Sequence, residues 1–576
     1  MRLFFIPLRK LLYMQKILLS LLLCISALVS AQVTNEGEPV SWSLTNTKTA
    51  SKLITLPKLD LNQLRTEDLK SDKIKTKPYR IGVSNEVNYG LKSDGIWTDL
   101  PNGDRIWQIA FASPEALHLS VNFNSFYLPE GSTIYLYNKD RSDLIGAITS
   151  SANNNKNELG TWFVKGDHLF VEYYEPEEVK GQGKLNIGSV IHGYRLADEV
   201  QTGYENKSIL KINSSGDCNL DVNCDIGSDF EAYKDEIKKS VAFLNMGDGY
   251  ICSGSLINNA AQDKKPYFLS AEHCLERETD ETAANPALFS MRFNWISPNP
   301  VCAAITNSTE TTDEFTMMGS TLRAQFADSD MLLLELNNPI PTDWDVTFAG
   351  WDRTDINPTF EVGIHHPEGD IMKISRDDTG AIKATSDGKD LWLIGGLNDG
   401  IGTGDGWELG VTEGGSSGSP LFNQNGHIIG QLYGGNAVCT GTSDNDDFDL
   451  YGRLAISWDG GSTAATRLKD WLDPQSNNAT TLNSFSNTLA VIDDDFSNNI
   501  TLYPNPSSGI FKVKIHELTG DLTYEVYNLL GQTLVMNTPI TNNTINLNNF
   551  SNNIYFIRIT ETETNNTLVK KVVLSK

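Results

Sequence analysis

The chain has 576 residues, with 46 Lys and Arg against 73 Asp and Glu, for a formal net charge of −27. That length predicts roughly three to four domains, and the acidity argues against a nucleic-acid partner, because polyanions are bound through clustered Lys and Arg. Beyond the N-terminus no stretch is long and apolar enough to span a bilayer, so no transmembrane anchor is expected.

Residues 1–31 carry Arg9, Lys10 and Lys16, then an apolar run from Ile17 to Val29 that ends Val29-Ser30-Ala31. This is the pattern of a secretory signal, cut before Gln32. From 32 to 211 the chain is free of Cys and reads as short alternating strands. Leu117 to Phe123 alternates with period two, Leu128-Pro129-Glu130-Gly131 turns, and Thr133 to Tyr137 and Leu169 to Tyr174 supply further strands. A β-sandwich is expected here.

Residues 212–478 hold the chemistry. Tyr267 to Ala271 reads as an apolar strand running into Glu272-His273-Cys274, and Asp330 opens the run Met331-Leu332-Leu333-Leu334. Later, Gly414-Gly415-Ser416-Ser417-Gly418-Ser419-Pro420 makes a tight Gly-rich turn. A serine hydroxyl is a poor nucleophile alone and needs an adjacent base held by a third group. His273, Asp330 and Ser417 supply these parts, in the order His, Asp, Ser. Asp328 competes for the acid role but lacks the register with the leucine run. The backbone N–H groups of Gly415 and Ser417 are the expected oxyanion donors. Setting aside Cys24 in the signal leaves six cysteines, Cys218, Cys224, Cys252, Cys274, Cys302 and Cys439. Six allow fifteen pairings, and such a framework suits an extracellular domain. No Cys-x-x-Cys pair suggests a metal, and no cofactor is required. His365-His366 reads as structural, because neighbours on a strand face opposite ways. Trp392 and Trp407 are equal candidates for a wall of the cleft.

The polar stretch 479–499, with Asp493-Asp494-Asp495, reads as a linker. Residues 500–576 open with Tyr503-Pro504-Asn505-Pro506, pass a Gly531-Gln532 turn and end with a lysine on a β-terminus. These features resemble the C-terminal sorting domain of Bacteroidetes type IX secretion cargo, a small β-sandwich. The resemblance implies that the type IX machinery is a partner and that the chain is exported to the cell surface or the medium.

The triad segments resemble those of the chymotrypsin superfamily, and more narrowly the region from about Asn213 to Pro474 resembles bacterial lysyl endopeptidases of the Achromobacter protease I type. Cys218 to Cys224, Ala349 to Arg353, Ile364 to Pro367, Gly410 to Glu413, Tyr451-Gly452-Arg453 and Asp470 to Pro474 carry the likeness. It implies an all-β, chymotrypsin-like double β-barrel, a secreted serine endopeptidase acting on protein and peptide substrates after Lys, and residues 32–211 as a prodomain. It also implies the pairs Cys218–Cys439, Cys224–Cys302 and Cys252–Cys274. Counting back from Tyr451-Gly452-Arg453, Asp449 matches the family's lysine-recognising carboxylate, with Tyr433 and Gly434 beside the substrate. Tyr433 stands where the family prototype has His, and the loop after Cys439 is one residue longer, so Arg is the competing preference. Ser416 stands where trypsin-like enzymes place an Asp for a new N-terminus. Activation is therefore expected by removal of the prodomain, at Lys207 or near Lys211-Ile212, by the enzyme itself. The alternative from another class is an inactive protease-like surface adhesin.

Overall fold

The computed structural model describes residues 37–44, 51–196, 213–277, 283–309, 311, 315–396, 402, 406–487, 500–515, 522–528, 533–561 and 567–576. The signal, the junction holding Lys207 and Lys211, and the Gly531-Gln532 turn lie outside them. The chain divides into two compact units, one ending at Asn487 and the other running from residue 488 to Lys576.

In the first unit, residues up to 196 build two facing sheets. One orders the strands Lys52–Thr55, Arg105–Ala112, His168–Glu175, Thr133–Asn138 and Leu144–Ile148; the other orders Val164–Lys165, His118–Tyr127, Lys184–Gly193 and Gly82–Gly90. Alternate residues point inward, so Trp107, Phe111, Phe123, Trp162 and Tyr173 fill one shared core. The period-two stretches read from the sequence are strands. A helix, Leu61–Ser71, was not expected there. Its sequence is polar on nearly every face and offers no apolar stripe to read. Asp60 caps it by accepting from the Gln63 N–H at 3.1 Å.

Residues 213–487 form two further, mostly antiparallel sheets. The first orders Phe315–Met318, Ser290–Phe293, Val241–Asn245, Tyr250–Leu256, Tyr267–Ala271, Met331–Leu336 and Ser320–Phe326. The second orders Leu220–Asp221, Lys373–Asp377, Glu361–His365, Pro420–Asn423, Ile428–Gly435, Asp449–Arg453, Lys389–Ile394 and Ile382–Ser386. Between them lie Leu269, Met331, Leu333, Trp351 and Ile364, all buried. Residues 479–487, read as the start of a linker, instead add two short strands: Thr481–Leu482 pairs Trp351–Asp352 and Phe485–Ser486 pairs Thr347–Phe348. Disulfides join Cys218 to Cys439, Cys224 to Cys302 and Cys252 to Cys274.

Tyr79–Arg80, from the N-terminal part of the chain, pairs antiparallel with Ile251 and Tyr250, at the start of the interior strand Tyr250–Leu256 of the first of these two sheets. The second unit holds a three-stranded sheet, Ile500–Tyr503, Ile510–Ile515 and Thr544–Asn546, and a four-stranded one, Thr533–Pro539, Leu522–Tyr527, Asn553–Glu561 and Thr567–Leu574. Phe511, Val526, Ile557 and Val572 are its core.

Candidate active site

His273 lies in a short 3-10 turn at the end of strand Tyr267–Ala271, and the Cys252–Cys274 disulfide ties that turn to strand Tyr250–Leu256. Asp330 sits one residue before strand Met331–Leu336, in the left-handed region at φ 53°. Asp tolerates that conformation better than most residues. One carboxylate oxygen of Asp330 accepts the backbone N–H of His273 at 2.9 Å, and the other meets His273 Nδ1 at 2.8 Å. Asp330 is fully buried and Asp328 is exposed. The carboxylate therefore fixes both the imidazole's position and its tautomer, leaving Nε2 free to take a proton. Nε2 is buried and has no hydrogen-bond partner among the described residues.

Ser417 lies within a turn in which Gly415 has φ +91° and Gly418 φ +80°, conformations that a side chain would strain. The turn is pinned to the first sheet: Ser253 N donates to the Ser417 carbonyl at 2.8 Å and Ser253 Oγ to the Gly415 carbonyl at 3.0 Å. Ser416, where an activation Asp would stand, is held by the ring of His365, with Nδ1 to Oγ 2.8 Å. His365 also reaches Ser375 Oγ at 3.0 Å, and burial pushes its pKa well below the usual histidine value. Its neighbour His366 stacks on Trp295 and turns Nδ1 to the Asp370 carbonyl. Burial likewise lowers His366, to about 4. Each ring is used internally. Among the described residues, one geometric cluster of metal-ligating types appears, Cys252, His273 and Cys274, and both of its sulfurs are in a disulfide.

Asp449 is completely buried in strand Asp449–Arg453. Burial pushes its carboxyl up, while Lys75, Thr412 and Trp407 pull it back down. Trp407 Nε1 donates to Oδ2 at 2.8 Å and Thr412 Oγ1 donates to the same oxygen at 2.6 Å. Trp392 instead donates to the Ile429 carbonyl inside the core, which separates the two tryptophans. Tyr433 sets its ring edge-on to His273, with centroids 6.0 Å apart. At Gly434 a Cβ would come within 3.0 Å of the Lys75 carbonyl carbon, so the absent side chain makes room for a peptide.

Sequence reasoning missed the group that fills this site. Lys75, which follows the helix Leu61–Ser71, extends its ammonium to Asp449 Oδ1 at 2.7 Å, the Ala437 carbonyl at 2.6 Å, and the carbonyl and Oγ1 of Thr412 at 2.9 Å each. The Lys75 carbonyl accepts from Ser417 Oγ at 3.2 Å. Thr412 and Ala437 were missed as well. Nothing local marks Lys75 or Ala437, and Thr412 lies in the Gly410 to Glu413 stretch of the family likeness without its role showing there, because these roles rest on contacts between Lys75 and residues hundreds of positions away in sequence.

Residues 212–452 match the lysyl endopeptidase C-terminal domain, and residues 501–575 match the secretion system C-terminal sorting domain. A lysyl endopeptidase of Pseudomonas aeruginosa is 32% identical over 298 residues, half of this chain. The chain matches 59% of that relative's length. Among solved structures, an inactive Ser-to-Ala mutant of Rv3671c from M. tuberculosis H37Rv has TM-score 0.23 and 14% identity over 40% of this chain and 88% of the other. Deg5 has TM-score 0.22 and 13% identity over 39% and 88%.

Proposed function

We propose that this chain, which carries a lysyl endopeptidase C-terminal domain and a secretion system sorting domain, is an exported serine endopeptidase that cleaves peptide bonds after lysine. Ser417 attacks the scissile carbonyl, and His273 takes its proton and returns it to the leaving amine. Asp330 holds His273 and stabilises the imidazolium, and the N–H groups of Gly415 and Ser417 receive the oxyanion. Water then hydrolyses the acyl-enzyme by the same route in reverse roles. The type IX machinery is the export partner, and protein and peptide chains are the substrates.

The observation that carries the lysine preference is the set of acceptors around one ammonium: Asp449, two carbonyls and a hydroxyl, all within 2.9 Å of Lys75 Nζ. A compact, three-donor ammonium suits converging acceptors, whereas a planar guanidinium needs a flat, bidentate partner. An uncharged side chain would leave the Asp449 carboxylate buried and unpaired. The test is a digest of a denatured protein mixture with the wild-type enzyme from the culture medium, its new C-termini read by mass spectrometry. Lysine at nearly all of them is the expected result, and a broad spread of residues there would reject the reading.

A further inference from the structure

We propose that Lys75 is a built-in plug of the lysine pocket, and that the N-terminal β-sandwich holds the active site shut by presenting it. This rests on the reading of Asp449 as the lysine-recognising carboxylate. Lys75 and Asp449 are 8% and 0% exposed, so the ion pair is closed to solvent. The plug also takes the nucleophile, because Ser417 Oγ donates to its carbonyl rather than to His273. Its backbone is not presented as a substrate's would be. The Lys77 N–H donates to the Ile74 carbonyl at 3.2 Å, closing a turn around Lys75 and Thr76. A peptide that adds to a sheet edge is extended. Among the described residues, neither the Gly415 nor the Ser417 N–H donates to the Lys75 carbonyl. The lysine side chain is thus bound as a ligand while its peptide group sits outside the oxyanion site.

The plug is braced from both sides. Upstream, the buried Asp68 of the helix Leu61–Ser71 accepts from Arg80 at 2.8 Å and from Tyr194 at 2.8 Å, and pairs with Arg195 at 2.7 Å. This fastens the helix to the end of the sandwich's Lys184–Gly193 strand. Downstream, Tyr79–Arg80 is hydrogen-bonded into the protease-region sheet, and Tyr79 covers Gly414, where a Cβ would lie 2.7 Å from its ring.

The experiment uses the full-length Ser417→Ala precursor, which cannot process itself. A fluorescein-labelled peptide ending in lysine with a free carboxylate is titrated against it and against the double variant that also carries Lys75→Met, which keeps the aliphatic stem and removes the ammonium. Binding at least about 100-fold tighter in the double variant is expected, since it frees a pocket whose ion pair is of the strength seen for other buried pairs. Equal affinities would overturn the plug. A measurement on the unmutated lysine guards against misfolding of that variant: acylation by an N-hydroxysuccinimide ester should spare Lys75 while modifying the exposed Lys70, Lys73 and Lys77, and a Lys75 as reactive as these would also overturn it. A wild-type precursor cut first at Lys75–Thr76 would make Lys75 a substrate and sink the proposal. The digest separates the two readings: if the enzyme does not cleave after lysine the pocket reading falls, whereas lysine cleavage with equal peptide binding removes the plug alone.

Discussion

On the proposed reading, three side chains define what this site can do: Asp330, Ser417 and Asp449. Asp330 receives both the backbone and the ring of His273, so Asp330→Asn keeps the shape but favours the wrong tautomer. The expected loss is about 10⁴ in kcat, measured on a lysyl ester with enzyme of unchanged thermal stability. Ser417→Ala should abolish turnover without unfolding the chain, since it removes only one hydroxyl. On the proposed reading, Asp449 is the carboxylate that recognises the substrate's charge. In the mature enzyme Asp449→Asn should lower kcat/KM for lysyl peptides by about 10²–10⁴, the equivalent of losing one partner of a buried ion pair, and should affect uncharged substrates far less. Trp407→Phe removes one donor to the same carboxylate, a change of about 1–3 kcal/mol. It should therefore weaken lysyl substrates by a smaller factor than Asp449→Asn, visible in parallel kinetics.

At the scale of elements, the nucleophile turn works because two strands leave no room for it to relax. A Cβ on Gly418 would lie 2.7 Å from the Ala271 N and 2.7 Å from the Ser253 carbonyl, both backbone atoms that cannot move aside singly, at a φ of +80°. Gly418→Ala should therefore cost both activity and several degrees of Tm, by strain at a left-handed position and by separation of the two sheets. An alanine variant that melts with the wild type would show that the turn is free to shift. His365 holds Ser416 beside the turn, with a buried ring already bonded on both sides. The turn is thus held by side chains present before any cleavage. Precursors cut at Lys207 or at Lys211 should then give equally active enzyme, checked by N-terminal sequencing and active-site titration of each form.

At the scale of the whole molecule, the sandwich and residues 213–487 share a boundary at which a buried carboxyl is raised. Glu368, in the loop after strand Glu361–His365, has its pKa pushed up from 4.5 to about 8, chiefly by burial, then by Glu413 and by Asp72 of the sandwich, against the pull of Arg195. A carboxyl whose folded pKa lies above its unfolded value keeps its proton where the unfolded chain has lost it. Its contribution to stability is most favourable below pH 4.5, declines as pH rises from about 4.5 to about 8, and is flat above. The Ser417→Ala precursor should accordingly need less denaturant to unfold as pH is raised through that window. Glu368→Gln should flatten that slope, and an unchanged slope in the variant would assign the effect to other groups.

The sequence by itself determined the pieces that are local in the chain. Period-two runs became strands because burying one face of a sheet demands alternation. His273, Asp330 and Ser417 could be picked out because each stands at the end of its own apolar strand or inside its own glycine turn, where the backbone requirement leaves a mark. What the fold decided is what lies between distant segments. Helix Leu61–Ser71 is stabilised by Asp68 meeting Arg80, Arg195 and Tyr194, not by an apolar stripe, so its pattern was silent. The strands of 479–487 exist because Thr347–Phe348 and Trp351–Asp352 offer open edges, which polar residues take as readily as apolar ones. Lys75 is one of many lysines in the sequence, and only the tertiary fold sets it against Asp449, 374 residues later, because a buried carboxylate accepts whichever cation the packing can deliver to it.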